Sequence, residues 1–465
     1  MNYDLIVIGS GPGGYVAAIR ASQLGLNTAI VEKESLGGIC LNWGCIPTKA
    51  LLKSAQVFDY MNHAEDYGIT VKSVKADFGA MIKRSRDVAD GMSKGVNFLM
   101  KKNKITVLSG HGEIARGKKV VVTDAEGSKT EYQSKHIIIA TGARSKALPG
   151  MDIDGEKIIG YREAMTLKKQ PKKLVVIGAG AIGVEFAYFY NSIGTEVSVV
   201  EFLEQGLLPR EDPDISKELG KLFKKSGINV MGNTAVEIVD TSGAICKVSV
   251  KNRKTEKTEI IECDVVLSAV GVATNLENLG LEALGIKTEN GLVQVNEFGQ
   301  TSVPGIYAIG DITPGAALAH VASAEGIIAV EKMTGHNPEP LNYNNIPSCT
   351  YCSPEVASVG YSEAGAKEAG YEIKVGKFPF SASGKAKASG ASMGFVKVIF
   401  DAKYGEFLGA HFIGANVTEM IAEVVVARKL ETTGMEIVKS VHPHPTMSEA
   451  IMEAAAAAYG EVIHL

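Results

Sequence analysis

Asp4-Leu5-Ile6-Val7-Ile8-Gly9-Ser10-Gly11-Pro12-Gly13-Gly14 decides the fold. The run into Ile8 is apolar without alternation, as a parallel strand buried on both faces requires. Gly9, Gly11 and Gly14 then carry the spacing of a dinucleotide-binding turn. A helix of small residues is expected after it over Tyr15–Leu24. Thr28-Ala29-Ile30-Val31 reads as the next strand, and Glu32 ends it where a ribose 2′-hydroxyl needs an acceptor. The glycine spacing alone is a weak signal. Strand, glycines, helix, strand and acid in that order specify a βαβ unit.

The unit occurs twice. Lys173-Leu174-Val175-Val176-Ile177 leads into Gly178, Gly180 and Gly183, and the strand Val197–Val200 ends at Glu201. In both copies the acid lies 23 residues after the first glycine. An internal duplication of this kind implies two bound dinucleotides and an α/β fold.

Between the copies sits Gly37-Gly38-Ile39-Cys40-Leu41-Asn42-Trp43-Gly44-Cys45-Ile46-Pro47-Thr48-Lys49. Pro47 is tolerated only in the first turn of a helix, so a helix is expected to begin near Cys45. That places Cys45 at the positive end of a helix dipole, where a thiolate is stabilised. A Cys40–Cys45 bridge would need an irregular turn, for which Gly44 is expected to supply an open φ range. The pair reads as a redox disulfide that opens to a dithiol; the alternative is two unlinked buried thiols.

The remaining chain is read more coarsely. Phe78–Met100 reads as a helix of mixed charge, 105–142 as hairpins, and Glu211-Asp212-Pro213 as a loop. Val265–Gly271 is a buried strand with a turn after it, and a helix is expected from about Ala317 to Thr334. From Tyr343 come short strands and charged turns, the helix Thr418–Leu430, then His442-Pro443-His444-Pro445-Thr446-Met447-Ser448-Glu449. The two prolines hold His444 in extended backbone and project it. Thr446 and Glu449 also fit a helix capping box. Cys246 and Cys263 look inert. Cys349 and Cys352 lack a second pair or a nearby histidine to complete a metal site, so no metal is expected.

Bulk properties narrow the class. The 465 residues exceed one core, and roughly three or four domains are expected. A composition 45% hydrophobic and 22% charged is that of a globular protein. A net charge of −4 argues against nucleic acid or an anionic membrane as partner. No run of about 20 apolar residues could span a bilayer. The first strand starts almost at once, which leaves no room for a targeting peptide and suggests a cytoplasmic location. In a reducing compartment a cysteine pair is more often catalytic than structural.

The cysteine segment, the two glycine turns, Ile306-Tyr307-Ala308-Ile309-Gly310-Asp311 and the HPHPTMSE ending closely resemble the flavin-dependent pyridine nucleotide–disulfide oxidoreductases, above all their lipoamide-using members. The likeness runs from the first strand to the last helix. It implies an FAD-binding domain (1–147), an NAD-binding domain (148–271), a central domain completing the flavin site (272–345) and a C-terminal α+β interface domain (346–465). The implied activity is oxidation of protein-bound dihydrolipoamide with reduction of NAD+, in a homodimer serving 2-oxo acid dehydrogenase or glycine cleavage complexes. Implied partners are lipoyl domains and the acyltransferase core.

The resemblance also implies residue roles. Cys40 would exchange with substrate, Cys45 would face the flavin, and His444 would be the acid–base with Glu449 orienting it. Flavin contacts would come from Gly9, Gly11, Gly14, Glu32, Lys49, Gly112, Thr141, Gly142 and Asp311, and from the helix start at Ala317, Leu318, Ala319 and His320. Glu185 would pair with Lys49, although both could be ordinary helix charges, and His320 could merely pack. Gly178, Gly180, Gly183, Glu201 and Gly271 would serve the nicotinamide dinucleotide. Glu201, with no cation expected in Phe202-Leu203-Glu204, would favour NAD over NADP. His442 is read as a bystander. Trp43 stands where the family more often has a smaller aliphatic residue, and Val272 and Thr274 replace the family's Arg and Pro. The chain ends without the terminal cysteine pair of mercuric-ion reductases, and the PTK segment and HPHPTMSE ending resemble lipoamide rather than glutathione enzymes.

Overall fold

Residues 2–465 are described by the computed structural model, and they fall into two compact units. The first holds the chain up to Leu51, Gly79–Lys146 and Gly271–Tyr343; the second holds Leu52–Phe78, Ala147–Val270 and Asn344–Leu465.

In the first unit, β1 (Asn2–Ile8) pairs in parallel with β2 (Thr28–Glu32) and with β6 (Lys129–Ile139). The sheet runs β3 (Thr106–Ser109), β2, β1, β6, β5 (Lys119–Thr123), β4 (His111–Ala115), and the strand Ile306–Ala308 joins β6 in parallel. Leu5 and Val7 face one apolar cluster and Ile6 and Ile8 the other, which is why the run needs no polar alternation. Helix α1 covers Pro12–Gln23, three residues earlier than the sequence suggested. Pro12 has the fixed φ and missing N–H that suit a first helical position, and Gly11 is the N-cap.

The second unit repeats the pattern. Its parallel sheet runs Asn229–Met231, Glu196–Val200, Lys173–Ile177, Val265–Ser268, Ile158–Ile159. A three-stranded antiparallel meander follows (Thr234–Asp240, Cys246–Asn252, Thr258–Cys263). The C-terminal part is a five-stranded antiparallel sheet covered by helices Val417–Lys429 and Glu449–Tyr459. Alanines 450, 454 and 455 are buried in that core, so the alanine-rich helix packs closely on the sheet.

One stretch read as a loop is a helix start. Asp212 caps the helix Pro213–Lys225, its carboxylate accepting the Asp214 N–H at 3.0 Å. The same carboxylate is buried against the Lys397 ammonium at 3.0 Å, a contact 185 residues distant in sequence. Local pattern carried no sign of it.

Candidate active site

The reactive segment is built from a short turn of helix and the start of a longer one. Helix α2 (Gly38–Asn42) carries Cys40, and α3 (Cys45–Asn62) begins at Cys45, as Pro47 required. Both cysteines are thiols here, and their side chains are hydrogen-bonded to each other. That bond, followed by burial, pushes the Cys40 thiol well above its ordinary value. Cys45, at the first position of α3, occupies the helix end that favours negative charge.

The turn between the cysteines corrects one expectation. Gly44 does not use a left-handed φ; the positive values belong to Gly37 and Gly38, at +100° and +59°. Gly44 is needed for space, because a Cβ there would lie 3.2 Å from the Ile39 carbonyl oxygen. A Cβ on Gly38 would lie 2.6 Å from the Gly11 Cα, so the reactive segment rests directly on the first glycine turn. Ser10 fastens it there. Its buried hydroxyl accepts the Gly37 N–H at 3.1 Å and donates to Glu32 Oε2 at 2.6 Å.

The two acids of the duplicated unit occupy equivalent places. Glu32 accepts the N–H of Ser10 (3.0 Å) and of Glu34 (2.9 Å). Glu201 accepts the N–H of Ala179 (2.7 Å) and of Leu203 (2.9 Å). Near the second acid the expectation of no cation fails. The Arg253 guanidinium lies 3.8 Å from the centre of the Phe202 ring and donates to the Phe202 carbonyl. It arrives from the hairpin after the strand Cys246–Asn252, out of reach of a local reading.

The C-terminal histidines form a separate group. The His444 imidazole is 79% exposed, and its Nδ1 lies 2.8 Å from Glu449 Oε1. Glu449 Oε2 accepts the Thr446 N–H at 2.8 Å. The helix begins at Glu449 itself with Ser448 as its N-cap, so Thr446 does not cap it; one Glu449 oxygen instead ties the loop and the other faces His444. The Thr446 hydroxyl does not complete the box; it donates to the Pro443 carbonyl. Burial pushes the Glu449 carboxyl up, but the Thr446 N–H and His444 outweigh it and leave its pKa below the usual value. His442 is no bystander in the fold. Its ring is only 7% exposed, 2.8 Å from Glu423 Oε1, and that bond raises its pKa.

A family model described as pyridine nucleotide-disulphide oxidoreductase matches residues 3–326, and the dimerisation domain of the same family matches 346–455. The chain belongs to the pyridine nucleotide-disulphide oxidoreductase family. It is 50% identical to a protein of Rhizobium etli named dihydrolipoyl dehydrogenase, with 100% of this chain and 99% of that one covered. It is 49% identical to a protein of that name from Zymomonas mobilis, again covering 100% and 99%. Among solved structures, LpdA from Mycobacterium tuberculosis superposes with a TM-score of 0.90 at 28% identity, covering 97% of this chain and 98% of that one. The Cu(II) complex of the HOCl-induced flavoprotein disulfide reductase RclA from Escherichia coli gives 0.88 at 26%, covering 98% and 99%.

Members of this family use FAD and NAD, and the residues present fit both. Each glycine turn leads into a helix N-terminus whose first N–H groups have no acceptor within the helix, and an acid stands at the end of the strand after that helix. Asp311 is held in a short turn after the strand Ile306–Ala308, where burial raises its pKa. The helix behind it starts at Ala319, with Leu318 as N-cap and Ala317 just before, so the first-turn N–H groups of Ala319 and His320 have no acceptor within the helix. Gly112 packs on β1 and β2. Thr141 and Gly142 are tied to Asn275, the Thr141 hydroxyl donating to its carbonyl at 2.7 Å. Gly271 accepts the Lys146 N–H immediately before the strand Val272–Thr274. Lys49 is in the first turn of α3 in the first unit; Glu185, in the second, accepts the Tyr351 N–H at 3.0 Å.

The other cysteines are quiet. Cys246 and Cys263 face each other across adjacent strands, both buried, and burial pushes Cys263 up to about 12. The buried Cys352 thiol donates to the Pro354 carbonyl. Among the described residues no helix is long and apolar enough to cross a membrane.

Proposed function

We propose that this chain oxidises the dithiol of a dihydrolipoyl group and reduces NAD+, with Cys40 and Cys45 as the redox pair. The observation that carries the reading is the hydrogen-bonded cysteine pair at the head of α3, resting on the first glycine turn. Full-length relatives at 50% and 49% identity that bear the name dihydrolipoyl dehydrogenase support the substrate class.

In the oxidised enzyme the two sulfurs are bonded. His444, held by Glu449, accepts a proton from one substrate thiol and raises the fraction of thiolate. That thiolate attacks the Cys40 sulfur, breaking the Cys40–Cys45 bond and forming a mixed disulfide. The second substrate thiolate then displaces Cys40, which leaves lipoamide and the enzyme dithiol. Bound FAD supplies the relay that takes the electron pair from this dithiol, and NAD+ supplies the final hydride acceptor. When the dinucleotides are bound, Glu32 and Glu201 would hold the two ribose hydroxyls and Asp311 would hold the flavin chain.

The division into flavin (1–147), nicotinamide (148–271), central (272–345) and interface (346–465) parts belongs to the same proposal. So do a cytoplasmic location and docking to lipoyl domains and an acyltransferase core. In the dimer, His444 of one chain serves Cys40 of the other. Co-refolding Cys45→Ser with His444→Gln chains tests this point. Recovery to roughly a quarter of wild-type activity fits a shared site, and a mixture as inactive as its components contradicts it. The function itself is tested by assaying dihydrolipoamide with NAD+. No NADH formation by the flavin-loaded protein would overturn it.

A further inference from the structure

Three consecutive residues of helix α4 (Phe78–Lys102) each donate to a carbonyl of the reactive segment or of the residue directly after it. The Arg84 guanidinium reaches Ala50 O at 2.6 Å, and the fully buried Ser85 hydroxyl reaches Pro47 O at 2.9 Å. Arg86 donates to Asn42 O, between the two cysteines, and its guanidinium lies 4.5 Å from the centre of the Trp43 ring. The first two contacts hold the start of α3 after Cys45; the third holds the connection from Cys40. Asn42 adds a local tie, its amide donating to Leu36 O (3.0 Å) and Gly38 O (2.9 Å).

Arg86 occupies this place at a cost. Its Nε is buried without a hydrogen-bond partner, and burial lowers the guanidinium pKa. A cation spent on a backbone carbonyl and a ring face, rather than on a carboxylate in contact, fixes geometry more than it balances charge. Trp43, the departure from the family's smaller aliphatic residue, supplies the ring.

We infer that Arg84, Ser85 and Arg86 form a clasp that, with Trp43, sets the dithiol–disulfide equilibrium of Cys40 and Cys45. The inference rests on those cysteines being the redox pair proposed above. Both sides of the connecting turn are pinned, so the dithiol has few conformations to gain when the bond opens. A restrained dithiol has a high effective thiol concentration and favours the disulfide. Loosening the clasp releases chain entropy in the dithiol only, so the balance shifts toward dithiol. These are positioning residues, since none of them is placed at a sulfur.

The test is anaerobic equilibration of the flavin-loaded enzyme with graded ratios of reduced to oxidised dithiothreitol. Acid quenching, alkylation and mass spectrometry then give the fraction of Cys40–Cys45 disulfide. Arg86→Met should shift the equilibrium constant about tenfold toward dithiol, or ~30 mV for this two-electron couple. Trp43→Leu should shift it in the same direction by roughly threefold, while Trp43→Phe, which keeps a ring, should return it to the wild-type midpoint. Midpoints of Arg86→Met and Trp43→Leu that coincide with wild type would overturn the clasp, as would shifts toward disulfide. Should Arg86→Met fail to retain flavin, Trp43→Leu decides alone on the same criteria. A wild-type enzyme that forms no Cys40–Cys45 disulfide at any ratio would instead remove the redox-pair reading on which the inference stands.

Discussion

The two βαβ units share a glycine turn and an acid that accepts two backbone N–H groups, yet only the first is joined to reactive chemistry. The difference begins at one side chain. Ser10 follows the first glycine of the first copy and Ala179 follows that of the second. Both donate a backbone N–H to the acid, but only Ser10 has a hydroxyl, and it reaches Gly37 at the head of the cysteine segment. The second copy continues instead into Phe202 and the Arg253 that covers it. A duplicated fold thus keeps the same turn and acid while the side chains beside them tie one copy to the cysteine segment and cover the other with Arg253.

If chemistry belongs to the first copy and its base comes from neither, then removing the base should leave both dinucleotide turns intact. His444→Gln should lower kcat by about 10²–10⁴-fold. Flavin content and the KM for NAD+ should be unchanged. A variant that loses flavin in step with activity would mean His444 supports the fold rather than the reaction.

The second copy should decide which nicotinamide is used. Glu201 opposes a 2′-phosphate, and like charges brought together cost several kcal/mol. The kcat/KM for NADP+ should therefore be poorer by ~100-fold or more. Arg253 is already committed to Phe202, so Arg253→Ala should leave the NAD+ to NADP+ ratio within about threefold. A large rise in that ratio would show that Arg253 reads phosphate after all.

Ser10 gives a smaller effect that separates the copies directly. Ser10→Ala removes the hydroxyl's two hydrogen bonds while the Gly37 N–H keeps the Ser10 carbonyl and Glu32 keeps the Ser10 N–H, at about 0.5–1.5 kcal/mol. Flavin release should quicken by up to about tenfold, with the KM for NAD+ unmoved. The reciprocal change Ala179→Ser, which has no equivalent of Gly37 to reach, should alter neither quantity. Equal effects from both substitutions would erase the distinction.

The smallest effect expected is a pH dependence confined to the histidine group of the second unit. His442 has a raised pKa through Glu423, so its contribution is complete below its unfolded value of about 6.5 and fades as pH rises through the folded one. Glu449 is depressed; its contribution holds above about 4.3 and is lost as pH falls through its folded value. His442→Gln should cost roughly 1 kcal/mol at pH 6 and less at pH 8 by denaturant unfolding. A deficit that grows with pH would reverse the assignment.

What could be read from sequence was whatever is written locally. The apolar run before Gly9, the spacing to Glu32, and Pro47 two residues after Cys45 each constrain the backbone within a few residues, and the elements appear where those constraints put them. What was missed depends on contact at a distance. Arg86 meets Asn42 across 44 residues and Lys397 meets Asp212 across 185. Neither pairing leaves a periodic trace in α4 or in the strand Phe395–Asp401. His442 escaped for the same reason, since its partner Glu423 lies on the helix Val417–Lys429. Gly44 was assigned the wrong property because a glycine in a turn suggests φ before it suggests space.

The central claim, that electrons enter through the Cys40–Cys45 pair, is tested most directly by Cys40→Ser and Cys45→Ser in the dihydrolipoamide–NAD+ assay, with bound flavin measured on the same samples. Both variants should keep their flavin, because the dinucleotide turns are untouched, and both should fall below about 0.1% of wild-type turnover, since the attacked bond no longer exists. Either variant turning over dihydrolipoamide at a tenth of the wild-type rate with full flavin would contradict the account.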